Sequence, residues 1–133
     1  MLELFEQAET WLKTGRQVAC ATVISTFGSS PYPPGTKMFI TASGEMAGSV
    51  SGGCVESTIV QTAIEVLREN QPRLMEFGVS VDQAAEIGLA CGGTMQIYLE
   101  PIPAQTSIFQ QILQCLRSRQ SAVTATIVSG AGL

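Results

Sequence analysis

Two of the four cysteines in this 133-residue chain stand beside glycine pairs, as Gly52-Gly53-Cys54 and Cys91-Gly92-Gly93. A thiolate is both a nucleophile and a soft metal ligand, and paired glycines let a ligand approach the backbone closely. The segment Gly48-Ser49-Val50-Ser51-Gly52-Gly53-Cys54-Val55-Glu56 reads as strand, turn and helix start, with Cys54 in the first helical turn. Unpaired amides at a helix start attract phosphate and favour thiolate over thiol. A tight strand-to-helix turn with a small residue at its end accounts for the same letters equally well. Glu56 is expected to cap or complement that helix start.

The segment Gly88-Leu89-Ala90-Cys91-Gly92-Gly93-Thr94 mirrors the first. Two Gly-Gly pairs, each at the edge of a predicted strand, allow two loops to close around one ligand; two unrelated turns are the alternative. A third segment, Gly28-Ser29-Ser30-Pro31-Tyr32-Pro33-Pro34-Gly35-Thr36-Lys37-Met38, is stiffened by three prolines and offers the Ser29 and Ser30 hydroxyls at a strand end. We expect Cys54 and Cys91 at one end of the sheet, facing a common cavity near Ser29 and Ser30. Cys20, Cys115 and Trp11 lie on apolar faces and are expected in the core, where a free cysteine acts as a small hydrophobe.

Several chemistries are excluded. The chain has no histidine, hence no Ser-His-Asp triad, Cys-His pair or imidazole base. With no Cys-x-x-Cys pair either, a zinc site is not expected. No Gly-Lys-Ser/Thr follows the glycines, and the dinucleotide fingerprint is absent. A net charge of −4, with seven basic residues scattered along the chain, argues against nucleic acid. No apolar run approaches the ~20 residues of a membrane-spanning helix. Glu3, Glu6 and Glu9 stand where a secretory leader would be basic, so a cytoplasmic protein with reduced thiols is expected. Hydrophobic residues make up 45% and charged ones 14%, which suggests surface meant to be covered.

The elements that must position these segments follow from periodicity. Leu4, Phe5, Ala8, Trp11 and Leu12 predict a helix over 2–14, stopped by Gly15. Residues 17–26 predict a strand apolar on both faces, with Val18, Cys20 and Ile24 on one and Ala19, Ala21 and Val23 on the other. Such a strand is covered by a layer on each side. Strands are predicted at 36–41 and 46–50, joined by a hairpin turn, and at 73–80 and 94–100, the last stopped by Pro101. Helices are predicted at 54–69, with Val55, Ile59, Ala63, Ile64 and Leu67 inward, and at 106–119, with Ile108, Ile112 and Cys115 on one face. A helical turn is predicted at 82–87 and a final strand at 122–129. The fold class is α/β, a layered mixed β-sheet flanked by helices.

A shift of 104 residues superimposes Phe5 on Phe109, Leu12 on Leu116, Lys13 on Arg117 and Ala21-Thr22 on Ala125-Thr126. This points to a repeated αβ unit, with residues 1–103 as a cofactor-handling domain and 104–133 as the start of a second unit, truncated and packed on the first.

Taken together and in order, Gly-Ser-Ser-Pro with Pro-Pro-Gly, then Gly-Ser-Val-Ser-Gly-Gly-Cys-Val-Glu, then Gly-Leu-Ala-Cys-Gly-Gly-Thr ahead of a strand ending Glu100-Pro101, resemble the XdhC/CoxI family of xanthine and CO dehydrogenase maturation factors. The resemblance runs from about Val18 to Pro101. It implies a protein that binds molybdenum cofactor, supports its sulfuration by a cysteine desulfurase and delivers it to a molybdenum hydroxylase apoenzyme. That is a chaperone more than a catalyst, with a Rossmann-like domain usually following and a homodimer expected. Ser51, Gly52, Gly53, Cys54 and Glu56 match one family motif, and Cys91, Gly92, Gly93 and Thr94 the other. With Ser29 and Ser30 these are the candidate cofactor-binding residues. Cys54 and Cys91 are candidate ligands of molybdenum, and the Gly-rich helix start is suited to the cofactor's phosphate. A small thiol enzyme using Cys54 and a non-catalytic dimerisation domain are the alternatives.

Overall fold

The apolar stripe of the opening residues forms α1 (Leu2–Lys13), which buries Phe5, Ala8 and Trp11. Beyond it Gly15 adopts φ +82°, its N–H donates to Leu12 O, and Arg16 N–H donates to Trp11 O. This is a helix stop that a Cβ would strain. The structure, a computed structural model, describes residues 1–28, 32–53, 55–78, 93–103 and 107–130. After α1 come β1 (Val18–Phe27), β2 (Lys37–Thr41), β3 (Met46–Gly48), α2 (Glu56–Glu69), β4 (Arg73–Phe77), β5 (Thr94–Ile102) and α3 (Ser107–Arg117). The helical turn predicted at 82–87 lies outside the described residues.

The strands make one sheet in the order β3-β2-β1-β5-β4. The α/β layering expected from the sequence is present, and every pairing among the described strands is antiparallel. Central β1 is buried on both faces as its composition requires. Ala19, Ala21 and Val23 pack with Ile59, Ala63, Val66 and Leu67 of α2. Val18 and Cys20 pack on the opposite face with Phe5, Trp11, Phe39, Phe109 and Leu113. The result is three layers: α2, the sheet, then α1 with α3.

The α1–α3 layer is held by aromatic packing and charge. Phe5 and Phe109, which the 104-residue shift superimposes, stack with centroids 5.3 Å apart, and Phe39 meets Phe5 edge-on at 5.1 Å. Glu9, 7% exposed, accepts from Arg117 of α3 at 2.9 Å and pairs with Lys13 at 3.5 Å.

Four sequence expectations change. Ile64 and Ile108 are 39% and 64% exposed, because Val66 on α2 and Phe109 with Leu113 on α3 take the inward positions. Pro101 does not stop β5: the β4 ladder ends at Leu99, so beyond it β5 has a neighbour only in β1, and a residue without an N–H is tolerated. Helix α2 begins at Glu56 rather than Cys54, for a reason given below. Residues 121–128 form no strand. A strand needs a sheet edge, and this segment lies instead over the face of β1 and β5, with Val123 96% exposed.

Candidate functional site

Antiparallel pairing decides where the three chemistry-bearing segments go. The C-terminal ends of β1, β3 and β4 and the N-terminal ends of β2 and β5 all lie at one end of the sheet. The described residues flanking each segment therefore come together there. A Cβ on Gly28 would sit 3.5 Å from Gly93 Cα, and one on Gly52 would sit 4.0 Å from the Tyr32 ring. Gly78, leaving β4 at φ +72°, runs so close to Gly93 that a Cβ would lie 2.3 Å from its carbonyl oxygen. Only glycine permits that approach.

The loop after β3 is built around Glu56. Its Oε1 accepts from Ser49 Oγ at 2.6 Å, from the Val50 amide at 3.1 Å and from the Ser51 amide at 2.9 Å. Its Oε2 accepts from Ser51 Oγ and, at 2.9 Å, from the Gly53 amide. The hydroxyls then accept in turn, Ser49 Oγ from the Gly52 amide and Ser51 Oγ from the Val55 amide, each at 3.0 Å. Glu56 thus gathers the loop beneath itself, which is why helical geometry starts only at residue 56. Burial works to raise the Glu56 pKa, but the Ser49 and Ser51 hydroxyls and the Ser51 and Val50 amides outweigh it and hold it at about 2. The group is a fixed anion at neutral pH.

This geometry revises the anion-site argument made from the sequence. The amides of Val50, Ser51, Gly52, Gly53 and Val55 all have partners inside the loop. The turn is a rigid platform, not a ring of free donors. Its outer side is open, and a Cβ on Gly53 would meet nothing within 4 Å. Ser51 is buried, and its hydroxyl bridges Glu56 and Val55. Gly93 is buried and Thr94 half-buried where β5 begins. Ser29, Ser30, Cys54, Cys91 and Gly92 lie outside the described residues. Ser49 was not among the candidates. The spacing of Ser49 and Ser51 ahead of a glutamate was the available signal.

Cys20 is buried as expected, and burial pushes its thiol pKa up. Cys115 is half-buried and lines a cavity of about 760 Å³ on the α1–α3 face. Lys37 and Glu100 stand on its wall, as do Pro34 and Gly35 of the proline-rich loop, so the cavity reaches the loop end of the sheet.

A model of the XdhC and CoxI family matches residues 11–78, just over half of the chain and all of the Glu56 loop. The chain belongs to the XdhC and CoxI family. It is 26% identical over 98 residues to YqeB of Escherichia coli (strain K12), covering 74% of this chain and 18% of that protein. With the molybdenum cofactor insertion chaperone PaoD of the same organism it is 29% identical over 91 residues, 68% of this chain and 28% of PaoD. Among solved structures it resembles a xanthine dehydrogenase from Bacillus halodurans, with a TM-score of 0.66 and 29% identity over 86% of this chain and 34% of that one. The chain thus spans between 18% and 34% of the length of these family relatives. No helix among its described residues is long and apolar enough to cross a membrane.

Proposed function

We propose that this chain is the cofactor-handling part of a maturation factor, one that binds molybdenum cofactor as cargo and assists its sulfuration and insertion into a xanthine- or CO-dehydrogenase-type molybdenum hydroxylase. Family membership supports the reading, as does likeness to a protein named a molybdenum cofactor insertion chaperone. The observation that carries it is the platform of residues 49–53, locked by Glu56, at the sheet end where Gly28 and Gly93 also meet. A rigid glycine surface open on its outer side suits a large, fragile cargo that must be held and then released. Soft thiolates from Cys54 and Cys91 would meet molybdenum, with Thr94 and the Ser29 and Ser30 hydroxyls at the rim. The apoenzyme and a cysteine desulfurase are the partners this role requires, and a homodimer in the cytoplasm is the expected form.

The test is purification of the natural protein from a cofactor-producing host, followed by molybdenum and pterin analysis. Cofactor should co-purify with wild type, and Cys54→Ser should lower its molybdenum content while leaving the fold intact. Equal molybdenum in both proteins would leave Cys54 with a packing role, and absence of cofactor from wild type would remove the reading.

A further inference from the structure

Lys37 and Glu100 lie in segments that the sequence singles out, yet the glycine platform makes no use of either. The sheet register brings them together. Thr22 of β1 pairs with Lys37 on β2 and with Tyr98 on β5, and two residues along the same face Cys20 pairs with Glu100. Lys37 and Glu100 therefore stand on the same face, two strands apart. Two strand spacings and a two-residue offset separate their backbones by about 12 Å.

Their surroundings differ from those of an ordinary surface pair. The Lys37 ammonium is steadied by the Thr22 hydroxyl at 2.8 Å. The Glu100 carboxylate is half-buried, and among the described residues no hydrogen bond or ion pair reaches it. Desolvation pushes its pKa up, and Lys37 opposes this only through its field. The carboxylate oxygens still reach solvent, so water in the open cavity supplies the hydrogen bonds that a ligand with matching donors would take over. Both groups line the cavity of about 760 Å³ and an adjoining one of about 460 Å³. The larger lies within the size range of small-molecule sites, which are mostly apolar with a few convergent polar groups.

We propose that this cavity is a subsite for a 2-amino-4-oxopyrimidine ring, the edge shared by pterins and guanine. The Glu100 carboxylate accepts the ring's paired N–H groups, and the Lys37 ammonium meets an anionic substituent on the far side. A carboxylate matches that edge because it offers two parallel acceptors to two parallel donors, the geometry that makes its pairing with guanidinium bidentate. A simple amine would satisfy one oxygen and would be repelled by Lys37. The pterin source rests on the function proposed above, whereas the guanine source does not.

The experiment is calorimetric titration of the full chain with pterin-6-carboxylate, with GMP and with lumazine, which carries an oxo group in place of the 2-amino group. Pterin-6-carboxylate or GMP should bind, and lumazine at least tenfold more weakly. Glu100→Gln, which has one acceptor oxygen in place of two parallel ones and turns an NH₂ donor toward the ring's second N–H, should weaken binding at least tenfold with an unchanged circular dichroism spectrum, and Lys37→Met should weaken it as well. Binding of pterin-6-carboxylate assigns the site to the cofactor's ring, and binding of GMP alone assigns it to a nucleotide. Failure of both ligands to bind, or wild-type affinity in Glu100→Gln, overturns the subsite. A cofactor-producing host separates the two proposals: wild-type pterin content in Glu100→Gln alongside molybdenum loss in Cys54→Ser would sink the subsite and leave the maturation role standing.

Discussion

Replacing Glu56 by glutamine tests the central structural claim, because the side chain keeps its size and loses one acceptor and its charge. With its carbonyl at the Oε1 position the amide still accepts from Ser49, Val50 and Ser51, but its NH₂ then faces the Ser51 hydroxyl and the Gly53 amide. The hydroxyl can turn and accept, while the Gly53 N–H is left without a partner. Gly53 is exposed and this bond part-buried, so water replaces some of the lost acceptor and the orphaned donor costs at most about 1–3 kcal/mol, while the surviving bonds fall to about half their charge-assisted strength. An independent route starts from the pKa, lowered from 4.5 to about 2. It gives an upper bound of about 3 kcal/mol at neutral pH, reduced by solvent screening at the open side of the loop. Because the folded-state pKa is depressed, this stability is fully present above pH 4.5 and is lost as pH falls through about 2. Urea unfolding of both proteins from pH 7 to pH 2 reads it directly. Glu56→Gln should be less stable by about 2–3 kcal/mol at pH 7, with a melting temperature lower by about 10 °C, and the gap should narrow on acidification. Gly53 amide exchange should quicken by about a hundredfold. Equal midpoints at pH 7, or a gap independent of pH, would refute the account of the loop.

Four further outcomes follow from the packing and charge. Phe109→Ala removes one ring of the Phe5–Phe39–Phe109 cluster and should cost about 3–5 kcal/mol in urea unfolding. Gly78→Ala places a Cβ 2.3 Å from the Gly93 carbonyl at a positive φ; melting temperature should fall, and amide shifts should move at Gly93 and Thr94. Glu100→Gln should raise the melting temperature at pH 7. Its carboxyl pKa is raised in the folded state, so ionisation costs stability as pH rises above the unfolded value, and the gain should vanish below about pH 4. Arg117→Met should lower the melting temperature at pH 7. The hydrogen bond from Arg117 holds the Glu9 pKa down, so that loss should shrink as pH falls through the carboxylate range.

Much of the fold was legible because it follows from burial pattern alone. The stripe of α1 and the two apolar faces of β1 need no partner to be recognised, and both are covered as their composition requires. What depended on partners was harder to read. Residues 122–129 alternate like a strand, but alternation does not provide an edge, and the segment lies on the face of the sheet. Pro101 reads as a stop until it is known that β4 ends at Leu99 and leaves that side of β5 open. The described residues flanking the glycine turns lie at one end of the sheet, and that shared end follows from strand direction. The fivefold grip of Glu56 was not legible, because a first-turn glutamate reads as a helix-end charge and nothing local shows the chain folding back over it.

That grip also constrains how cargo can be held. A helix start with free amides would bind phosphate through the backbone, but here the amides of Val50, Ser51, Gly52, Gly53 and Val55 are occupied within the loop. The carboxylate that occupies three of them directly is a fixed anion. An anionic cargo is therefore repelled by the charge beneath the platform as much as it is attracted by the helix dipole, which contributes ~0.3–1 kcal/mol. Phosphate recognition then has to come from a cation. Lys37, at the end of the proline-rich segment and on a cavity wall that reaches the same end of the sheet, is placed to supply it. On this argument the glycine platform sets the shape of the site, while its charge complementarity lies across the sheet face.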